Sequence, residues 1–226
     1  MPSAMAPRLL KRAHIESGLE ALGEKHERLA QFIAGMTPSQ MDGIFSNPPP
    51  TSAFSSLARS ICSQQLSTKA ASTIYTRLQK AVPAADDDTC VCPHGMSTAT
   101  EDELRRVGLS LSKVRSMKEL SSRFIAGTLS DDILAAVDDI AGLEALLLDV
   151  RGIGPWTTQM FAIFFLRLPD VAVTGDLGVR KGCAKIYGLS SLPTPKAMEA
   201  IVESWSPHQT LGACLCWKAA DLKPSP

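Results

Sequence analysis

The apolar positions of this chain fall mostly at helical spacing. Phe54, Leu57, Ala58 and Ile61 stand at i, i+3, i+4 and i+7, one face of a helix. Ala70, Ile74 and Leu78 repeat the stripe after Ser67, a residue suited to cap a helix start. Met117, Leu120 and Phe124 mark another amphipathic helix, expected to begin near Ser112 and stop at Gly127. Ser130 or Asp131 opens a short helix through Val137. The two most hydrophobic stretches, Leu143–Leu148 and Met160–Leu166, predict two long helices around a tight turn, DVRGIGPWTTQ at 149–159. A helix over Leu177–Tyr187 ends at Gly188, and Thr194-Pro195 starts one that reaches about Trp205. Pro207 begins the last, to about Leu222. No segment alternates at strand period between turn residues, so the expected fold class is all-α with about ten helices.

Residues 81–101 break the pattern. They carry Asp86–Asp88 and two prolines but no Lys or Arg, and read as a long loop. Cys90, Cys92 and His94 there form C-x-C-x-H, one ligand short of a closed zinc site, so the stretch is taken as an incidental surface loop. The six cysteines, Cys62, Cys90, Cys92, Cys183, Cys214 and Cys216, show no disulfide framework, which favours a reducing compartment. Composition adds limits. Hydrophobic content of 45% with 20% charged residues suits a soluble globular protein, and the low aromatic share of 5% with few Val/Ile/Thr runs leans the same all-α way. The longest apolar run is too short to span a bilayer, and the N-terminus lacks a signal-peptide core. The formal charge is zero. This argues against a nucleic-acid coat held by bulk charge, but not against a selective reader of one site.

The turn at 149–159 carries the first functional signal. Gly152 and Gly154 allow a sharp bend and close approach of the backbone to another molecule. The following helix begins near Pro155, and its first amides have no partner within the helix. The loop Gly152-Ile153-Gly154 and the first helical turn, with Thr157, thus present N–H groups suited to a phosphate oxygen. The competing reading is a plain helical hairpin with a glycine loop. Asp176, 22 residues beyond Gly154, stands at the start of the next helix. Taken alone it is a helix cap with a favourable dipole.

The order of these motifs resembles the helix–hairpin–helix DNA glycosylase superfamily, in which the hairpin is followed by a Gly/Pro-rich loop ending in an essential aspartate. Ser63-Gln64-Gln65-Leu66-Ser67 is similar to that family's DNA-facing Gln-Gln-Leu-Ser turn, and Gly108-Leu109-Ser110 through Lys113 to its Gly-Leu-Ser-x-x-Lys segment. Asp176-Leu177-Gly178-Val179-Arg180-Lys181-Gly182 and Trp205-Ser206-Pro207 through Trp217 resemble the 3-methyladenine (alkylated-base) branch. The resemblance runs from about residue 50 to 222. It implies a single glycosylase domain with a cleft between two helical subdomains. The central one spans about 55–150, the N-terminal helices plus 151–226 form the second, and 82–100 is a long loop.

The resemblance also implies roles. Asp176 is the catalytic carboxylate. Gln65 fills the space left by a flipped nucleotide, with Gln64 and Ser63 in the same DNA-binding turn. Trp156, Met160 and Trp217 line the base pocket, where indole faces attract a cationic purine. Lys113, Arg180 and Lys181, with Arg115 and Lys185, are expected phosphate partners. Lyase members carry a lysine where this chain has Trp156, so water rather than an amine is the implied nucleophile. Beyond the hairpin only Cys183, Cys214 and Cys216 remain, too few and wrongly spaced for an iron–sulfur cluster. No cofactor is expected, and the only metal the reading leaves room for is a cation on the hairpin backbone.

The implied partner is double-stranded DNA with damaged bases, met by a monomer inside the cell, in the nucleus of a eukaryote or the cytoplasm and nucleoid of a bacterium. Four departures bear on base specificity: His208-Gln209 after Pro207, Val173 in place of proline, Met160 in place of an aromatic, and Ser63 in place of glycine. Two rival readings stay open. One is a glycosylase for other damaged or mismatched bases. The other is a non-catalytic DNA-structure binder that kept the hairpin.

Overall fold

The computed structural model describes residues 12–42, 44, 52–84 and 87–222. Among them the helices are α1 (Arg12–Lys25), α2 (Glu27–Ala34), α3 (Pro38–Asp42), α4 (Ala53–Ser63) and α5 (Thr68–Ala81). A two-stranded antiparallel ribbon follows, β1 (Pro83–Ala84) with β2 (Asp87–Val91). Then come α6 (Pro93–Thr98), α7 (Glu101–Arg106), α8 (Leu111–Ile125), α9 (Asp131–Ala135), α10 (Ile140–Leu147), α11 (Pro155–Phe164), α12 (Leu177–Tyr187), α13 (Pro195–Glu203) and α14 (Gln209–Asp221). The all-α class holds, with more and shorter helices than the apolar pattern suggested.

The helix starts follow local chemistry. Ser52, Ser67, Ser110, Ser130, Asp139 and Thr194 each accept a hydrogen bond from an amide in the first turn of the helix they open. Thr100 and Glu103 cap α7 reciprocally. Ser110, not Ser112, therefore opens the Met117 helix. The last helix starts at Gln209 rather than Pro207, because Asp170 draws the Gln209 N–H (3.1 Å) and the Ser206 hydroxyl (2.7 Å) to its carboxylate.

The chain forms two compact units, one of residues 49–165 and one of residues 1–48 with 166–226. The first has its core on α4, where Phe54, Leu57, Ala58 and Ile61 are at most 1% exposed, as their spacing predicts. Leu78, Met117, Leu120 and Phe161 close around them, and Phe54 meets Phe124 edge-on at 5.3 Å. The expected subdomain break near 150 is displaced to 165/166. The hairpin after α10 stays with the middle helices, because α11 buries Phe161 and Ile163 and packs on α10 and α4.

The described residues of 82–100 include the ribbon and α6 rather than a long loop. Val91 and Met96 are fully buried, and the Val91 amide donates to Ser55 Oγ (3.2 Å), which ties the ribbon to α4. Cys92 spends its sulfur capping α6, accepting from the Gly95 N–H.

The second unit is built on α12 and α14, with Leu19, Leu22 and Leu29 of α1 and α2 in the same core. Trp205 is 1% exposed and donates its indole N–H to the Tyr187 hydroxyl (3.0 Å). A Cβ on Gly212 would overlap the Trp205 ring, so glycine lets the indole lie against the α14 backbone.

Candidate active site

In the middle unit, the turn between α10 and α11 uses its two glycines differently. Gly152 has φ +78°, and a Cβ there would overlap Ser116 Oγ on α8 and lie 2.7 Å from Ser116 Cβ. Glycine is needed both for the left-handed backbone and for the close packing. Gly154 has an ordinary extended conformation, and nothing lies within 4 Å of the position its Cβ would occupy. It opens α11 without any side-chain cap, and Pro155 follows at the first helical position. No described group accepts from the N–H of Gly152 or Gly154. Two parts of the expected phosphate site are internal instead. The Ile153 N–H donates to Val150 O (3.0 Å), and Thr157 is only 1% exposed.

The Gln-Gln turn after α4 is joined to this hairpin. Gln64 donates its side-chain amide to Gly152 O (2.8 Å) and to Thr157 Oγ1 (3.0 Å). Gln64 thus staples this turn to the hairpin within the protein. Gln65 is exposed and sits at φ +57°, a conformation that costs a non-glycine residue about 1 kcal/mol. Ser63 returns its hydroxyl to Arg59 O (2.8 Å).

Lys113, expected on a phosphate, points at the same turn. Its ammonium donates to Cys62 O (2.7 Å) and Gln64 O (2.8 Å), the carbonyls that α4 leaves unpaired at its end. Partial burial there lowers its pKa. Trp156 and Met160, four residues apart on α11, share one helix face, half-buried and 7% exposed respectively.

In the other unit, Asp176 caps α12, accepting from the Val179 N–H at 2.9 Å. The same oxygen, Oδ1, accepts from Trp217 Nε1 of α14 at 2.8 Å. The structure therefore brings together the last two motifs of the set, through residues 41 apart. The loop before Asp176 is tied down as well. Thr210 Oγ1 donates to Leu168 O (2.7 Å) and accepts from the Val171 N–H (3.2 Å), and Val173 is buried.

The remaining basic residues divide. Arg180 donates its Nε to Pro193 O (2.7 Å), and Lys185 caps α14 through Ala219 O, Ala220 O and Leu222 O. Lys181 and Arg115 are exposed. The unusual His208 is packed toward α1, since a Cβ on Gly18 would lie 3.1 Å from its Nδ1, and Gln209 donates to Val202 O.

Sequence reasoning missed Gly178 and Gly182. A Cβ on Gly178 would lie 2.8 Å from Trp217 Cδ1, and one on Gly182 would overlap the Cys216 carbonyl. Their four-residue spacing on one helix face was the available signal. Beside them the Cys183 and Cys216 thiols hydrogen bond across the seam, and that bond together with burial pushes Cys216 well up. Burial pushes Cys214 up to about 12. All three thiols are buried. Among the described residues, no three His, Cys, Asp or Glu side chains cluster as a metal site would.

Comparison with known proteins agrees with this arrangement. DNA-3-methyladenine glycosylase 1 of Schizosaccharomyces pombe is 27% identical over 207 residues, covering 92% of this chain and 87% of that protein. The solved structure of the 3-methyladenine DNA glycosylase Mag1 from that yeast, in complex with abasic DNA, superposes with a TM-score of 0.77 at 26% identity. That superposition covers 92% of this chain and 97% of the other. A DNA-3-methyladenine glycosidase structure from Bacillus halodurans gives 0.72 at 30% identity, covering 90% and 89%. The family model of the HhH-GPD superfamily base excision DNA repair proteins matches residues 58–208, from α4 to the start of α14. The chain belongs to the HhH-GPD superfamily of base excision DNA repair proteins.

Proposed function

We propose that this protein is a monofunctional DNA glycosylase that removes alkylated purines, 3-methyladenine among them, from double-stranded DNA and leaves an abasic site. The observation that carries the reading is the carboxylate of Asp176, oriented at the start of α12 by the Val179 N–H and the Trp217 indole N–H. Breaking an N-glycosidic bond builds positive charge on the sugar, as in other glycoside cleavages. A carboxylate held in fixed orientation stabilises that charge without reorganising, and can orient the attacking water. An alkylated purine is itself cationic and leaves readily, so no strong general acid is required. The reaction calls for no cofactor. Trp156, standing where a lyase has lysine, leaves water as the nucleophile.

Local geometry supports the other roles. A base must leave the stack before it can react, at a cost of a few kcal/mol. Gln65, exposed and held left-handed at the tip of its turn, is suited to occupy the vacated space. The N–H groups of Gly152 and Gly154, beside an uncapped helix start and open space, suit a DNA phosphate. The protein would act where the genome lies.

Asp176→Asn tests the assignment, because asparagine also caps a helix. Base release from methylated DNA should fall by about 100-fold or more. Binding to a duplex with an abasic-site analogue should persist. Release at the wild-type rate would overturn the catalytic role of Asp176.

A further inference from the structure

The geometry points to Trp217 as a positioning residue that acts on the reaction through Asp176, with Gly178 and Gly182 present on α12 so that it can reach. This rests on the glycosylase reading above and goes beyond a pocket-wall role for Trp217. Asp176 Oδ1 receives two donors from different elements, the Val179 N–H of its own helix at 2.9 Å and the Trp217 Nε1–H of α14 at 2.8 Å. The backbone donor ties Oδ1 to the start of α12. The indole donor, arriving from the neighbouring helix, holds the same oxygen from a second direction and adds a hydrogen bond to the charged group.

The indole is itself held. It lies against Gly178, where a Cβ would stand 2.8 Å from Trp217 Cδ1 and 3.1 Å from Nε1. One turn further, a Cβ on Gly182 would overlap the Cys216 carbonyl and lie 2.6 Å from Cys216 Cα. Cys216 is the residue before Trp217. Two glycines on one face of α12 therefore set both the height of the α14 backbone and the reach of the indole edge. Any side chain at either position would move the N–H away from Oδ1.

This role has a signature that a pocket wall lacks. A wall acts through the base it touches, so its loss depends on the base. A donor to Asp176 acts through the charge on the sugar, which every leaving base generates. Trp217→Phe keeps an aromatic face and deletes the N–H. In the full-length protein its single-turnover release rate should fall about tenfold or more, the scale of one lost hydrogen bond to a charged group. The factor should be the same for a cationic methylated purine and for neutral hypoxanthine. Affinity for an abasic-analogue duplex should stay within about twofold, since the interaction concerns the reacting charge and not ground-state binding. Added to Asp176→Asn, Trp217→Phe should cause no further loss, because its effect passes through the carboxylate.

Gly178→Ala, whose Cβ would crowd the hydrogen bond from both sides, at 2.8 Å from Trp217 Cδ1 and 3.1 Å from Asp176 Oδ1, should also cause a base-independent loss, with thermal melting reporting whether each variant is folded. Wild-type release combined with a base-selective loss in Trp217→Phe, or a full additional loss on top of Asp176→Asn, would overturn the positioning role. Failure of the wild-type chain to release a base from any of these duplexes would overturn the glycosylase reading, and this role with it.

Discussion

The protein starts two helices after glycine-bearing loops, α11 in the middle unit and α12 in the other, and treats the two N-termini in opposite ways. At α11 no side chain caps the first turn, and the position beside Gly154 is open. At α12 the cap is Asp176, and the glycines that follow are covered by α14. The first helix start has no side-chain cap and has open space beside it. The second is closed on itself, with a carboxylate held in place. Glycine serves both ends: at Gly154 a missing side chain leaves room outside, while at Gly152, Gly178 and Gly182 it leaves room for another part of the same unit.

The largest effect expected from this contrast is at Gly182. Alanine in a helix interior is ordinarily favoured over glycine by about 1 kcal/mol. Here its Cβ would overlap the Cys216 carbonyl, and forced overpacking costs about 3 kcal/mol, so the clash decides the sign. Urea denaturation of Gly182→Ala should show a marked net loss; an unchanged midpoint would mean that α12 and α14 are less tightly joined than described.

A second pair sharpens the comparison inside the hairpin. Gly152→Ala meets both a left-handed backbone and Ser116, and should cost about 2 kcal/mol of stability. Gly154→Ala meets neither, and should cost under about 1 kcal/mol. Its effect should appear instead as roughly tenfold weaker DNA binding, because the methyl group enters the space assigned to a phosphate. If Gly154→Ala binds abasic-analogue DNA as tightly as wild type, the open helix start is only a turn.

The smallest effect concerns Lys113. A residue paired to a phosphate adds about 0.9 to the salt slope of binding. Lys113 is committed to Cys62 O and Gln64 O, so Lys113→Met should leave that slope unchanged while lowering stability by about 1 kcal/mol. A lower slope would return Lys113 to the phosphate backbone.

Much of this was legible in the chain. The α4 stripe, the caps at Ser67 and Thr194 and the Gly188 stop depend on residues within a few positions of one another, and each appears where local chemistry puts it. Asp176 was legible as a helix-start acid, and the order of motifs marked its family. The ribbon at 83–91 was not legible. Its strands are too short for a visible period, and what orders β2 is the hydroxyl of Ser55, 36 residues away. The directions of Gln64, Lys113, Arg180 and Lys185 were hidden for a related reason. A long polar side chain on a surface helix can face solvent or a nearby carbonyl with equal ease, and only the neighbouring helix end decides.

By itself, then, the sequence determined the helices, their starts and stops, and the presence of an acid after a glycine-paired turn, because hydrophobic period, capping and backbone freedom are properties of short segments. Only the tertiary structure decided what each glycine and each polar group faces. Gly178 and Gly182 became the seat of α14, and Trp217 became the partner of Asp176, because two helices 41 residues apart in register meet with no side chain between them. That contact belongs to packing, and no local pattern encodes its distance.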